Sequence, residues 1–124
     1  MMNSSFALLL MIFLHIVDDY YLQDWLASAK QRDWWKENTP QKLYKYDYIW
    51  ALLVHSFSWS FVVMLPVAFH LNFEADVSFI ICLLLNMIVH ALTDTSKANM
   101  KVINLWTDQL IHICQIVTIW CAFF

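Results

Sequence analysis

Glycine is absent from this 124-residue chain, and proline occurs only twice, at Pro40 and Pro66. Hairpin-rich β structure draws on glycine for its tight turns, so its absence disfavours that class. No alternation of apolar and polar residues marks barrel strands either. Charge is scarce as well: 14% of the residues are Asp, Glu, Lys or Arg, against roughly 25% in soluble domains. There is no basic tract of the kind that nucleic-acid binding uses, and the net charge of −3 carries no message of its own. Cys82, Cys114 and Cys121 stand singly in apolar runs, without metal-ligand spacing, and read as small buried hydrophobes.

What fills the chain instead is apolar surface: 61% of it is hydrophobic and 17% aromatic. A protein this small cannot bury so much in a water-facing fold, because small domains leave a large fraction of their surface exposed. Lipid is then the expected cover. The expected fold is all-α, an integral membrane four-helix bundle of up-down topology forming one domain over residues 1–124, with spans at 5–23, 48–69, 77–94 and 102–124. The first apolar run, Ser5 to Val17, has neither a preceding basic region nor a small-residue cleavage site, so it reads as a retained helix rather than a signal peptide. It is shorter than the about 20 residues a span needs, and reaches that length by continuing helically through Gln23.

Residues 24–47 set Lys30, Arg32, Lys36, Lys42 and Lys45 among Trp25, Trp34 and Trp35. Cations interleaved with tryptophan suit an interfacial amphipathic connector at headgroup level, broken at Asn38-Thr39-Pro40. All seven Lys and Arg lie in this connector or in the turn with Lys97 and Lys101, between the third and fourth spans. The positive-inside rule puts both connections in the cytoplasm. Both termini are then non-cytoplasmic, in a multi-pass protein of the inner membrane.

Against this background a few polar residues stand out. His15 and Asp19 end the first span, His55 lies in the second, His90 and Asp94 end the third, and Asp108 and His112 open the fourth. Residues four apart sit on one helical face, about 40° apart around the axis. An up-down arrangement brings all seven to one depth near the cytoplasmic side. The order His15-x-x-x-Asp19 then His55, followed by His90-x-x-x-Asp94 then His112, also hints at two related helical hairpins.

Ionisable groups in spans are costly and tend to face the interior, where they pair or act. Imidazole and carboxylate together suit a divalent transition metal, zinc foremost, and seven donors are enough for two ions sharing a carboxylate. A metal-free His–Asp network and a proton or ion pathway use the same groups and stay open as alternatives. Asn86, four before His90, and Gln115, three after His112, are placed to orient an imidazole. Asp18 competes with Asp19, whose spacing makes it the better partner of His15. His70, at the opposite boundary, reads as an interfacial residue.

The pattern His15-x-x-x-Asp19-Tyr20-x-Leu22-Gln23, Lys30, His55, His90-x-x-x-Asp94-x-x-Lys97 and Asp108-Gln109-x-x-His112 resembles a family of small integral membrane proteins of bacteria and their phages, known as a domain of unknown function. The resemblance spans nearly the whole chain. It implies a membrane location and a His/Asp/Gln/Lys set that includes Gln23, Lys30, Lys97 and Gln109, but no reaction. Tyr20 departs from it where phenylalanine is expected.

The leading expectation is a membrane-embedded metal-dependent hydrolase at the cytoplasmic leaflet, with Lys30 and Lys97 outside the spans to hold an anionic group. A metal-ion or proton transporter or channel subunit is the second, and it would need a homo-oligomer to build a path through the lipid bilayer. The third is a non-catalytic membrane modulator whose His/Asp set is structural. Substrate and metal identity are not legible.

Overall fold

The computed structural model describes residues 2–124. Its α-helices are α1 (Ser4–Val17), α2 (Leu26–Ala29), α3 (Arg32–Asn38), α4 (Asp47–Val63), α5 (Leu65–His70), α6 (Val77–Ala98) and α7 (Leu105–Phe123). A π-helical turn at Asp18–Leu22 extends α1, and a 3-10 turn at Lys42–Tyr44 precedes α4. Three of the long helices begin where a short polar side chain accepts an orphan backbone N–H. Asn3 accepts from Phe6 N at 3.1 Å, Asp76 from Phe79 N at 2.8 Å and Asn104 from Thr107 N at 2.9 Å.

The expected four-helix bundle is therefore corrected: the described residues form seven α-helices. Two physical causes account for the difference. Pro66 lacks a backbone N–H and its ring crowds the residue before it, so the second apolar run breaks at Met64 into α4 and α5. The connector also folds, forming α2 and α3 before α3 ends at Asn38, two residues ahead of Pro40.

The connector is tied down on the α6–α7 turn. Asn99 Oδ1 accepts from Arg32 N at 2.7 Å, and Asn99 Nδ2 donates to Lys30 O at 3.1 Å. Lys101 Nζ lies 3.3 Å from Asp33 Oδ2, and hydrogen bonds from Lys36 and Lys101 hold the Asp33 carboxyl below its ordinary range. α4 packs against α6, α1 and α2, while α7 packs against α1 and α6. The apolar core gathers Met11, Trp59, Val63, Met64, Val67, Phe79, Ile116 and Ile119.

Outside, the helices are greasy: Leu9 and Phe13 on α1, Phe57 and Phe61 on α4, and Leu84, Leu85, Ile88 and Leu92 on α6 are exposed. Two helical segments, Ser4–Leu22 and Val77–Ala98, are long and apolar enough to cross a membrane.

A chain without glycine must build its left-handed positions from other residues. Asp24, Asn72, Phe73 and Lys101 have positive φ, at 40°, 53°, 62° and 58°. Aspartate and asparagine tolerate that region, whereas Phe73 strains Cβ against the following carbonyl. Phe73→Gly is expected to stabilise the protein by about 0.5–1 kcal/mol, after glycine's own entropy cost. Chemical denaturation of the two forms measures it.

Candidate metal centre

The polar residues do converge, and the helices deliver them from four directions. Asp18 and Asp19 come from the π turn after α1, His55 from α4, His90 and Asp94 from α6, and Asp108 and His112 from α7. All are buried, with His55, His90, Asp108 and His112 at 0% exposure. The π turn explains a feature that α-helical periodicity cannot. Neighbours on a regular helix diverge by about 100°, yet Asp18 and Asp19 both turn inward here.

Two groups of side chains each bring one ligand atom per residue to within 4.8 Å of the others: Asp19 with His55 and His90, and His90 with Asp94 and His112. The finer distances are informative. His55 Nε2 lies 3.1 Å from His90 Nε2, 3.4 Å from Asp19 Oδ1 and 3.3 Å from Asp94 Oδ2. His90 Nε2 lies 3.7 Å from Asp94 Oδ2. Good N–H···O hydrogen bonds run about 2.7–3.2 Å, and most of these contacts are longer. A zinc ion with ligands at about 2.0–2.1 Å in a tetrahedron separates them by roughly 3.3 Å, the edge of that polyhedron. The spacing fits the edge.

The second group makes the same point through protonation. Gln115 Nε2 donates to Asn86 O and Oδ1, both at 3.2 Å, which turns Gln115 Oε1 toward His112 Nδ1 at 3.2 Å. His112 Nδ1 therefore carries the proton of the neutral ring, and Nε2 presents a lone pair. That lone pair faces Asp94 Oδ1 at 3.5 Å and Asp108 Oδ1 at 3.6 Å. All three atoms are buried without a hydrogen-bond partner. Three acceptors facing one another require a cation between them or a proton on one of them. Asp94 thus turns one oxygen to each group.

Further residues hold these donors in place. Trp59 stacks on His90 with ring centroids 4.4 Å apart, and His90 stacks on His112 at 4.3 Å. Gln109 Nε2 donates to Asp19 Oδ2 at 3.2 Å and Asp108 Oδ2 at 2.9 Å. Lys97 Nζ lies 2.7 Å from Asp108 Oδ2, and Gln23 donates to the carbonyl of Asp19. Lys30 is not at an outer surface: it is 6% exposed, with Nζ 2.5 Å from Asp94 Oδ2.

His15 is brought beside the cluster, its ring 5.7 Å from that of His112, but both its nitrogens are spent. Trp59 Nε1 can only donate, and does so to His15 Nδ1 at 2.8 Å. The His15 proton then sits on Nε2 and goes to Gln109 Oε1 at 3.0 Å. The two His-x-x-x-Asp stretches are thus unequal: His90 turns Nε2 into the cluster beside His55 Nε2, while Trp59 and Gln109 engage both nitrogens of His15. His70 lies against Phe124, away from the centre.

Ser58 and Trp59 escaped the sequence reading, and Asp18, ranked there behind Asp19, contributes as well. Asp18 accepts from Ser58 Oγ at 2.6 Å and turns its other oxygen toward His55 Nδ1, at 3.9 Å. Trp59 was findable, being four after His55 and so on its face. The adjacent acids Asp18-Asp19 at the end of an apolar run were the other available signal. No family model matches the chain, and no curated protein or solved structure matches it.

Proposed function

We propose that the chain is a multi-pass membrane protein with a site for two divalent transition-metal ions, zinc foremost, that Asp94 would help to hold, and that it is a metal-dependent hydrolase. One observation carries the metal assignment: buried imidazole nitrogens and carboxylate oxygens converge at the spacing of a coordination polyhedron, and His112 Nε2, Asp94 Oδ1 and Asp108 Oδ1 face one another with no hydrogen-bond partner. Asp19 Oδ1, His55 Nε2, His90 Nε2 and Asp94 Oδ2 would hold one ion, and Asp94 Oδ1, His112 Nε2 and Asp108 Oδ1 the other. A purely structural hydrogen-bond network is disfavoured because its bonds would be too long.

The apolar outer faces and the two long apolar helices support membrane embedding, since exposed patches of that extent are rare on soluble monomers. A through-pathway finds less support. On α4, beyond the buried Ser60 hydroxyl, the interior passes into the apolar cluster of Met11, Val63, Met64, Val67, Phe79 and Ile119.

When bound, the ions would polarise a scissile ester, phosphoester or amide and lower the pKa of a water. The chain's own residues orient and shield. Trp59 and the imidazole stack hold ring planes, Gln109 locks Asp19 and Asp108, and burial strengthens every charge interaction inside.

The test is elemental analysis of protein purified without chelator, with hydrolysis of phospholipid and peptide substrates followed before and after metal removal. Two bound transition-metal ions per chain, and activity lost on chelation and restored by metal, are expected. Protein that stays metal-free after reconstitution would overturn the assignment. Metal without hydrolysis of any substrate would remove the enzyme and leave the site.

A further inference from the structure

The cations of this chain divide into two sets. Lys30, Lys36, Lys97 and Lys101 each hold an aspartate, at 2.5, 3.1, 2.7 and 3.3 Å. Arg32, Lys42 and Lys45 hold no carboxylate among the described residues, and all three line one cavity of about 390 Å³ in the connector. Lys36 reaches it too, while no aspartate or glutamate lines it. All four cations are exposed, so their mutual repulsion is screened and small, but an anion entering the cavity meets positive charge and no carboxylate.

The walls are built rather than incidental. Trp35 forms one side, fixed by its indole N–H donating to Ala29 O at 2.6 Å and by Thr39 Oγ1 on its own carbonyl at 3.2 Å. Ala29 adjoins Lys30, which Asp94 anchors, so this wall is tied to the fold's polar centre. Lys45 Nζ sits 5.1 Å from the Tyr46 ring centroid, and Tyr44 and Tyr48 complete the lining. Arginine and lysine are the side chains that bind phosphate oxygens, the first through a planar fork and the second as a point charge, and the lining supplies both.

We propose that this connector cavity is a binding site for a phosphate group, with Arg32, Lys42 and Lys45 as its cationic ligands. It is separate from the metal centre and does not depend on hydrolysis. On the membrane reading above, the connector lies at headgroup level, where anionic phospholipid supplies that phosphate.

Full-length protein in detergent micelles tests this with two probes, phosphatidylglycerol and inorganic phosphate. Retained lipid is counted by phosphorus assay after gel filtration, and phosphate binding is followed by ³¹P line broadening. The variant Arg32→Gln/Lys42→Gln/Lys45→Gln is compared with Lys101→Gln, which removes a cation outside the cavity. Helix content by circular dichroism checks that both variants fold. Binding weakened at least about tenfold in the triple variant, and less than about twofold in Lys101→Gln, is expected for at least one probe. Lipid retention identifies a headgroup site. Binding of inorganic phosphate alone keeps the phosphate site and removes the lipid as its source, whatever the fate of the hydrolase reading. No binding of either probe by the unmodified protein, or equal losses in the two variants, overturns the proposal.

Discussion

On the proposed two-ion centre, Asp94→Asn should leave less than about a tenth of the metal content of the unmodified protein, a larger loss than any other single ligand substitution. The reason is geometric. Asp94 Oδ2 faces His55 and His90, at 3.3 and 3.7 Å, while Oδ1 faces His112 at 3.5 Å. Asparagine keeps the shape and one oxygen but loses the charge and the second acceptor, so neither group of donors closes around a cation. Asp19→Asn, by contrast, touches the first group alone and should remove one ion while leaving the other. Elemental analysis of folded, size-selected protein separates these results. An Asp94→Asn protein that keeps both ions would rule out the shared carboxylate.

The same substitution has a second consequence, because Asp94 also neutralises Lys30. Both side chains are almost fully buried, and removing one partner leaves a charge in a medium that solvates it poorly. Breaking such a pair costs about 3–5 kcal/mol. Asp94→Asn should therefore lower the denaturation midpoint as well as the metal content. Asp19→Asn leaves no ammonium behind, and its stability loss should be smaller.

That the chain would be helical was legible in the missing glycines and the apolar runs. How many helices it forms was not, because a break such as that at Met64 depends on whether a proline near a span's end is absorbed or obeyed. The meeting of Asp19, His55, His90, Asp94 and His112 followed from four-residue spacing and helix direction, both local properties. The roles of the remaining residues are set across helices. His15 looks identical to His90 by spacing, and only the indole of Trp59 and the amide of Gln109 make it a hydrogen-bonding residue. Asp18 faces inward because of a π turn, which has no side-chain signature of its own. Lys30, read from the sequence as an anion-holding cation outside the spans, is instead carried beneath the surface where α2 ends and meets Asp94.

Lys30 offers the sharpest remaining test, because its two effects have opposite signs. Its ammonium lies 2.5 Å from the oxygen of Asp94 that also faces His55 and His90, the position from which a first ion would draw charge. Lys30 thus stands where it compensates the carboxylate in the metal-free protein and competes for it in the loaded one. Lys30→Met keeps the length and apolar stem while removing the charge. In the metal-free state Asp94 is then left uncompensated, at a cost of about 3–5 kcal/mol. In the loaded state the ion replaces the missing ammonium without a competitor, so affinity should rise by about tenfold or more. Metal titration by calorimetry, with thermal unfolding in chelator and in saturating metal, reads both effects. The loaded variant should recover most of the stability that the metal-free variant loses. Weaker metal binding in Lys30→Met would show instead that the lysine's part is to aim Asp94, and that the ammonium does not stand in for an ion.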